Sequence, residues 1–293
     1  MRYAGDGEPV DLVVAPAVKP ETPLLRAELD AFLTQVQWQD RREEDPVGIV
    51  WSYDAPEDRE VVALITASLA YGRVQALRRA AQLALGPLGH APATALRTGT
   101  TWPQLDGFVY RMTKGDDVAA LFRAIGRALD RHGSLQALFR EAYRDTDTDL
   151  RPALTHFVHR LREYGGSQSR GFHYLLADPA KGGACKRLNL FLRWMIRGPD
   201  DIDLGLWDFP RSLLAMPLDT HITRIGRYLG LCSRRTVDWK LALEVRDSLV
   251  ELDPDDPLKY DFALCHMGIS GQCPTRREPS ICVSCPIERI CTL

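Results

Sequence analysis

Four of the seven cysteines of this 293-residue chain lie within its last twenty-one residues, close enough to form one metal site. Cys273, Cys282, Cys285 and Cys291 follow the spacing C-x8-C-x2-C-x5-C. A structural zinc site usually places about two to four residues between the ligands of each pair, and only the middle pair here does so. A compact loop with uneven gaps favours an iron–sulfur cubane with one thiolate on each iron. Zinc, and a metal-free tail that includes disulfides, remain alternatives.

A second candidate site is the glycine-rich segment that starts at Lys181 and contains Gly182 and Gly183. Glycines before a helix let the backbone approach a partner closely, and the free N–H groups of the helix start then face an anion. Lys186 and Arg187 add positive charge. The segment therefore predicts a phosphate-binding hairpin, with an ordinary turn as the alternative.

The third candidate is Asp219, in the segment Pro217-Leu-Asp-Thr-His221. It precedes a predicted helix whose apolar stripe includes Ile222 and Ile225. Aspartate often caps the N-terminus of a helix. An N-cap role and a chemical role are compatible, because a helix start fixes a carboxylate in place.

Taken together, the three segments resemble the helix-hairpin-helix DNA glycosylases of the endonuclease III type. In that family a hairpin reading G-x-G-x-K-x-A is followed by a V-D-T-H segment and then by a four-cysteine cluster loop. The matching segments here are residues 182–189 and 218–221, followed by the C-x2-C-x5-C part of the tail. They occur in the family's order, and the resemblance covers about residues 54–293.

The chain departs from the family pattern in three places. Ala184 stands where the family has its second hairpin glycine. Lys186 and Asp219 are 33 positions apart, farther than in endonuclease III, and the first cysteine gap is also longer than usual. Ala184 affects how closely the hairpin backbone can approach phosphate. The extra residues between Lys186 and Asp219 lie in the stretch 198–216, and the longer cysteine gap bears on the role of Cys273 as a ligand.

The resemblance implies a DNA glycosylase that excises a damaged or modified base from double-stranded DNA after the base is flipped out. Asp219 would stabilise the positive charge that develops on the sugar. Lys186 would attack C1′ and form a Schiff base, which adds AP lyase activity by β-elimination. Alternatively, Lys186 binds phosphate and Asp219 activates water. The alternative function is a non-catalytic binder of damaged or structured nucleic acid, and a third is a zinc-stabilised helical scaffold.

The resemblance also implies a [4Fe-4S] cluster on the four tail cysteines, with zinc as the alternative, and a set of DNA contacts. Leu69 aligns with the family segment that fills the gap left by the flipped base, and core packing is its alternative role. Tyr71 is a candidate for stacking on a base. The other predicted DNA contacts are Gly182, Gly183, Arg187, Arg73 and Arg224, and an ordinary solvated charge is the alternative for Arg224.

Helical periodicity along the chain, without alternating strand patterns, predicts an all-α fold. The resemblance implies two lobes joined by a cleft. We predict a flexible lead-in over residues 1–23 and a helical-barrel domain with the hairpin over 59–204. Residues 24–58 and 205–293 form the predicted second domain with the cluster loop. The segment Asp54-Ala-Pro-Glu predicts a capping-box start for the helix that follows.

Composition limits the function less than the motifs do. The net charge is −2, so nucleic-acid binding would depend on local basic patches. The longest mostly apolar stretch, Val61 to Tyr71, is too short to span a bilayer, and the N-terminus lacks the features of a signal peptide. We therefore expect a soluble, intracellular protein without a membrane partner. The resemblance implies a cytoplasmic monomer that is associated with the nucleoid. The three remaining cysteines are expected to be packed side chains.

Overall fold

The computed structural model describes residues 20–35 and 38–293 and is mostly helical, which confirms the all-α prediction. Nearly all of the predicted lead-in, 1–23, lies outside the described residues. Within them no helix is both long and apolar enough to cross a bilayer. The elements are α1 Thr22–Thr34, α2 Trp38–Glu44, α3 Val47–Trp51, α4 Pro56–Ser68, α5 Val74–Leu85, α6 Pro92–Thr98, β1 Val109–Tyr110, β2 Thr113–Lys114, α7 Gly115–His132, α8 Leu135–Arg140, α9 Arg151–Gly165, α10 Arg170–Leu175, α11 Lys186–Ile196, α12 Thr220–Tyr228, α13 Trp239–Val250, α14 Asp261–Ile269 and α15 Pro279–Cys282.

The periodicity predicts α8 and the long helices but not α2, α3, α6, α10 or α15, which have four to seven residues each. Such helices contain at most about two turns, so a repeating apolar pattern cannot be recognised in them. The two-residue strands β1 and β2 are too short to alternate. The predicted capping box is wrong: α4 starts after Ala55, which offers no side-chain cap, although the proline does lie at the helix start.

Buried carboxylates cap several helices and thereby join distant parts of the chain. Asp58 Oδ1 accepts a hydrogen bond of 2.8 Å from the backbone N–H of Ala93 at the start of α6. Glu60 accepts one of 3.0 Å from the backbone N–H of Leu135 at the start of α8. Burial raises the pKa of Glu60, while the hydrogen bonds from the backbone N–H groups of Leu135 and Gln136 act in the opposite direction. Each carboxylate satisfies helix N–H groups that would otherwise lack a partner.

A buried ionic network anchors the inserted stretch, residues 198–216, to the core. Arg193 Nε lies 3.2 Å from Asp203 Oδ1, and Arg197 Nη1 lies 2.8 Å from Asp203 Oδ2. Arg193 also pairs with Asp261 at the start of α14. All four side chains are buried. The insertion that separates Lys186 from Asp219 is therefore a packed part of the fold.

The N-terminal helix packs with the C-terminal part of the chain, as the predicted second domain requires. Asp30 on α1 accepts a hydrogen bond of 2.8 Å from the Tyr260 hydroxyl and lies 2.9 Å from Lys259 Nζ. Arg289 pairs with Glu28 at 2.5 Å. Buried residues of both predicted domains form one continuous hydrophobic core. The division into two lobes, including the helical barrel at 59–204, stays a prediction.

Candidate active site

A cleft of about 970 Å³ lies where the α4–α5 junction, the start of α11, the start of α12 and one face of α14 meet. It contains five of the residues that the sequence singles out. These are Tyr71, Arg73, Lys186, Arg187 and Asp219. The hairpin lysine and the aspartate, which belong to separate motifs, therefore line the same cavity.

Asp219 occupies the N-cap position of α12 and has both carboxylate oxygens engaged. Its Oδ1 accepts a hydrogen bond of 2.7 Å from the backbone N–H of Ile222, which confirms the predicted N-cap. Its Oδ2 lies 3.2 Å from Cys265 Sγ on α14, and the thiol donates. Burial raises the pKa of Cys265 well above its ordinary value, and the charge of Asp219 acts in the same direction. The thiol therefore stays protonated, and the carboxylate is held from two sides.

Lys186 is the first residue of α11, and its side chain lines the cleft. Its ammonium makes no hydrogen bond or ion pair with residues 20–35 and 38–293. Lys186 is nevertheless close enough to the Cys265 thiol to influence its titration electrostatically. Cys265 thus contacts the carboxylate directly and is influenced by the charge of Lys186.

The glycine hairpin that precedes Lys186 is shaped from within the protein. Gly182 adopts a φ of +79°, in the region that glycine tolerates best, and its carbonyl accepts a 3.0 Å hydrogen bond from Trp239 N–H. Gly183 is exposed, and no atom lies within 4 Å of the position that a Cβ would occupy. Neither glycine lines the cleft. Their predicted contact with DNA phosphate stays a prediction, and the hairpin surface at Gly183 is open.

Arg187 is hydrogen-bonded within the protein, and its predicted contact with DNA stays a prediction. Its guanidinium donates to the backbone carbonyls of Ser68 and Tyr174. It also lies over the ring of Tyr174 at 4.2 Å and over that of Tyr71 at 5.2 Å. Both Lys186 and Arg187 line the cleft, but the Arg187 guanidinium is bonded to the end of α4.

Leu69 packs in the core, so its predicted role as a wedge between bases is wrong in this structure. Only 1% of its surface is exposed, and its backbone forms the C-cap of α4. Tyr71 lies two residues later and does line the cleft. Its ring is fixed 4.7 Å from that of Tyr110, and its hydroxyl is 2.7 Å from Thr113 Oγ1. Tyr71 is therefore a rigid part of the wall.

Arg224 has a structural role that the sequence does not reveal. Its Nη2 donates a hydrogen bond of 2.7 Å to the backbone carbonyl of Cys273, and it does not line the cleft. By contrast, Arg73 and Arg79 are exposed at the cleft and make no ion pair within the described part of the chain. The cations that remain free at the cleft are thus Arg73, Arg79 and Lys186.

Sequence reasoning misses the contribution of α14 to the site. Cys265 faces Asp219, and His266 Nε2 lies 3.2 Å from Asp45 Oδ2 on the same cleft. The His266 ring also packs on Phe262, with 4.1 Å between ring centroids. A helix is predicted here, and its i, i+4 spacing places Asp261 and Cys265 on one face. The cavity that this face lines is not evident from the sequence.

The four tail cysteines line one small, mainly apolar pocket against α12. All four are free thiols, so the disulfide alternative is not realised in this structure. In the described ranges no three His, Cys, Asp or Glu side chains are arranged to hold a single metal ion. The thiols line a common pocket. Four cysteines are the donor set of both a [4Fe-4S] cluster and a structural zinc site, so the residues present fit either group.

The tail is tied to the helix that starts after Asp219. The Tyr228 carbonyl, at the end of α12, accepts a 2.8 Å hydrogen bond from the backbone N–H of Thr292 and a 2.7 Å bond from its hydroxyl. The Tyr228 hydroxyl donates to the carbonyl of Thr275 at 2.9 Å. The long first cysteine gap is filled by an exposed loop and the short helix α15.

A family model matches residues 45–270, which is most of the chain, and its description is a protein of unknown function, DUF2400. The chain belongs to the DUF2400 family. The matched region contains Lys186, Asp219 and Cys265 and ends before the first tail cysteine. The cleft is therefore part of the DUF2400 region. No curated protein and no solved structure matches the chain.

Proposed function

We propose that this DUF2400 protein is a DNA glycosylase that removes a damaged or modified base and cleaves the resulting abasic site. The observation that supports it most is the meeting of Lys186 and Asp219 in one cleft. Excision by a Schiff base requires an available amine and a fixed carboxylate in one site, and this cleft contains both.

Asp219 supplies electrostatic stabilisation in this proposal. Breaking the glycosidic bond builds positive charge on the sugar, and a carboxylate already oriented toward that charge needs no reorganisation. The hydrogen bonds from Ile222 N–H and Cys265 Sγ–H fix its orientation before substrate arrives. The carboxylate therefore acts as a fixed counter-charge.

Lys186 is the proposed nucleophile. The nitrogen lone pair forms a bond to C1′ while the C1′–N bond to the base breaks, and the base leaves with that electron pair and gains a proton from water. The nitrogen loses a proton and forms a double bond to C1′ as the C1′–O4′ bond breaks, and O4′ takes that electron pair and a proton. The resulting iminium ion loses a proton from C2′ and expels the 3′ phosphate with the C3′–O electron pair by β-elimination. Water then hydrolyses the imine and restores the lysine.

The walls of the cleft suit a base that has left the helix stack. Tyr71 and Tyr174 form an aromatic wall, with ring centroids 5.1 Å apart, and the Arg187 guanidinium packs over both rings. Enzymes that act on flipped bases hold them between aromatic or apolar side chains. The exposed Arg73 and Arg79 offer charge to the DNA backbone. A cleft with this lining accepts one nucleotide from a duplex.

The tail cysteines are the proposed ligands of a [4Fe-4S] cluster. When bound, the cluster would supply a rigid cross-link within the tail and no step of the excision. Protein purified without oxygen should show visible absorbance that bleaches on reduction, and Cys285→Ser should abolish it. Cys232→Ser is the matched control, because Cys232 is a buried cysteine outside the tail pocket. A colourless wild type that contains stoichiometric zinc would contradict the cluster and support zinc.

Borohydride trapping on duplex DNA with an abasic site tests the enzymatic proposal. Wild type should form a covalent adduct, and Lys186→Ala should not. Lys186→Arg keeps the positive charge but cannot form a Schiff base, so loss of the adduct in this variant distinguishes a nucleophile from a phosphate contact. The matched control is Lys181→Ala, since Lys181 is an exposed hairpin lysine outside the cleft.

The same experiment separates the proposal from its alternatives. Adduct formation that survives Lys186→Arg would reject Lys186 as the nucleophile. If wild type binds duplex DNA, forms no adduct and releases no base from a panel of modified duplexes, the protein is a non-catalytic binder. If it binds no DNA, the glycosylase proposal fails altogether.

A further inference from the structure

The hairpin formed by β1 and β2 presents two side chains to solvent at its tip. Val109 pairs with Lys114 and Tyr110 with Thr113, so Arg111 and Met112 form a two-residue turn. Met112 is 47% exposed, although methionine is normally buried, and Arg111 is exposed beside it. The tip thus combines an apolar side chain with a cation.

The residues of this turn are not those that turn chemistry favours. Arg111 has a φ of +54°, and two-residue hairpin turns usually place Gly, Asn or Asp at such a position. A bulky side chain here costs conformational free energy. Residues that break a local rule often occur where a surface performs a function. We therefore infer that the side chains of Arg111 and Met112 have a function other than forming the turn.

The hairpin is fixed to the mouth of the cleft. The Tyr110 hydroxyl donates to the carbonyl of Tyr71, and the Tyr71 hydroxyl donates to the carbonyl of Tyr110 at 3.1 Å. The Arg111 side chain lies against Gly72, where an added Cβ would be 2.9 Å from its Nε. Tyr71 and Gly72 both line the cleft. The tip is thus held at the rim next to the proposed site.

We propose that Arg111 and Met112 are a second contact with duplex DNA, Arg111 on a backbone phosphate and Met112 against the bases or sugars of the minor groove. This inference rests on the proposed function. Arg111 makes no ion pair within the described part of the chain, and apolar side chains flanked by cations are typical of minor-groove contacts. With Leu69 buried, Met112 is an exposed apolar side chain on the hairpin that is fixed to this rim.

A double variant, Arg111→Gly with Met112→Ser, gives the tip a turn-favouring pair and removes both proposed contacts. Its melting temperature should equal or exceed that of wild type. Its affinity for a fluorescein-labelled duplex with a tetrahydrofuran abasic analogue, measured by anisotropy on the full chain, should fall about tenfold. Arg111→Gly alone should reduce the slope of log K against log salt by about one, and Met112→Ser alone should leave it unchanged.

The control is Leu83→Ser, because Leu83 is 62% exposed on α5 but does not line the cleft. It should bind DNA like wild type. An unchanged affinity of the double variant, or a loss equal to that of Leu83→Ser, overturns the hairpin assignment even when borohydride trapping succeeds. Hairpin-dependent binding without any adduct leaves the assignment standing and rejects the Lys186 mechanism. Absence of duplex binding by wild type overturns both.

Discussion

Replacing Gly268 with alanine tests whether the contact between α12 and α14 sets the geometry of the cleft. A Cβ on Gly268 would lie 2.5 Å from the Cβ of His221 and 2.6 Å from its Nδ1. His221 follows Asp219 by two residues, and Gly268 follows Cys265 by three. The clash therefore separates the two helices that hold the carboxylate and the thiol.

Two opposing terms determine the effect on stability. Alanine in a helix interior is about 1 kcal/mol more favourable than glycine. Overpacking of this kind costs about 1–3 kcal/mol. The net loss should be about 0–2 kcal/mol. The effect on catalysis should be larger, because a displacement of about 1 Å at reacting groups can reduce the rate about 100-fold.

Urea unfolding and the single-turnover rate of borohydride trapping measure the two effects separately. The matched control is Gly86→Ala, since Gly86 has a φ of −47° and no atom within 4 Å of an added Cβ. That variant should change stability by less than about 1 kcal/mol, because the conformational freedom that alanine removes from the unfolded chain offsets the contact of its Cβ with the ring of Pro87. If Gly268→Ala matched Gly86→Ala in both stability and trapping rate, the argument that this helix contact positions Asp219 would be refuted.

Three further predictions concern the buried charges and the thiol. Asp203→Ala leaves two buried guanidinium groups short of a partner and should lower the free energy of unfolding by about 3–5 kcal/mol, measured by urea titration. Burial raises the pKa values of Asp30 and Asp253, but hydrogen bonds from Lys259 outweigh it and lower them overall. These two carboxylates stabilise the folded protein above the unfolded aspartate pKa of about 3.9, and this stabilisation is lost as the pH falls through their folded pKa values. Lys259→Met should therefore make the free energy of unfolding less dependent on pH below about pH 4, measured by urea titration. Cys265→Ala should slow trapping about 3–10-fold while Cys265→Ser retains most of the rate, and equal rates in both variants would exclude a positioning role for the thiol.

The sequence predicts those parts of the site that depend on short segments. Lys186 and Asp219 are recognised because each lies in a local motif next to a helix start, and the helix start fixes the side chain within a few residues. The N-cap role of Asp219 is confirmed for the same reason. Local chemistry is sufficient where one turn of backbone determines the geometry.

Predictions that depend on which helix face meets the core are less successful. Leu69 and Arg187 both belong to motif segments, yet Leu69 is buried in the core and Arg187 donates to the carbonyl of Ser68 at the end of α4. The contact of Cys265 with Asp219 could not be predicted from the sequence for a related reason, since the two residues are 46 positions apart. Such contacts are determined by how helices pack, which one sequence does not specify.

The attachment of the tail to α12 has a thermodynamic consequence. Asp219 and Tyr228 stand at opposite ends of one nine-residue helix, so ordering at one end restricts the other. Linkage is reciprocal: if metal binding by the tail tightens DNA binding in the cleft by some factor, DNA must tighten metal binding by the same factor. The DNA-bound protein should then release its metal to a chelator more slowly than the free protein. Occupation of the cleft by DNA would thus stabilise the metal site in the tail.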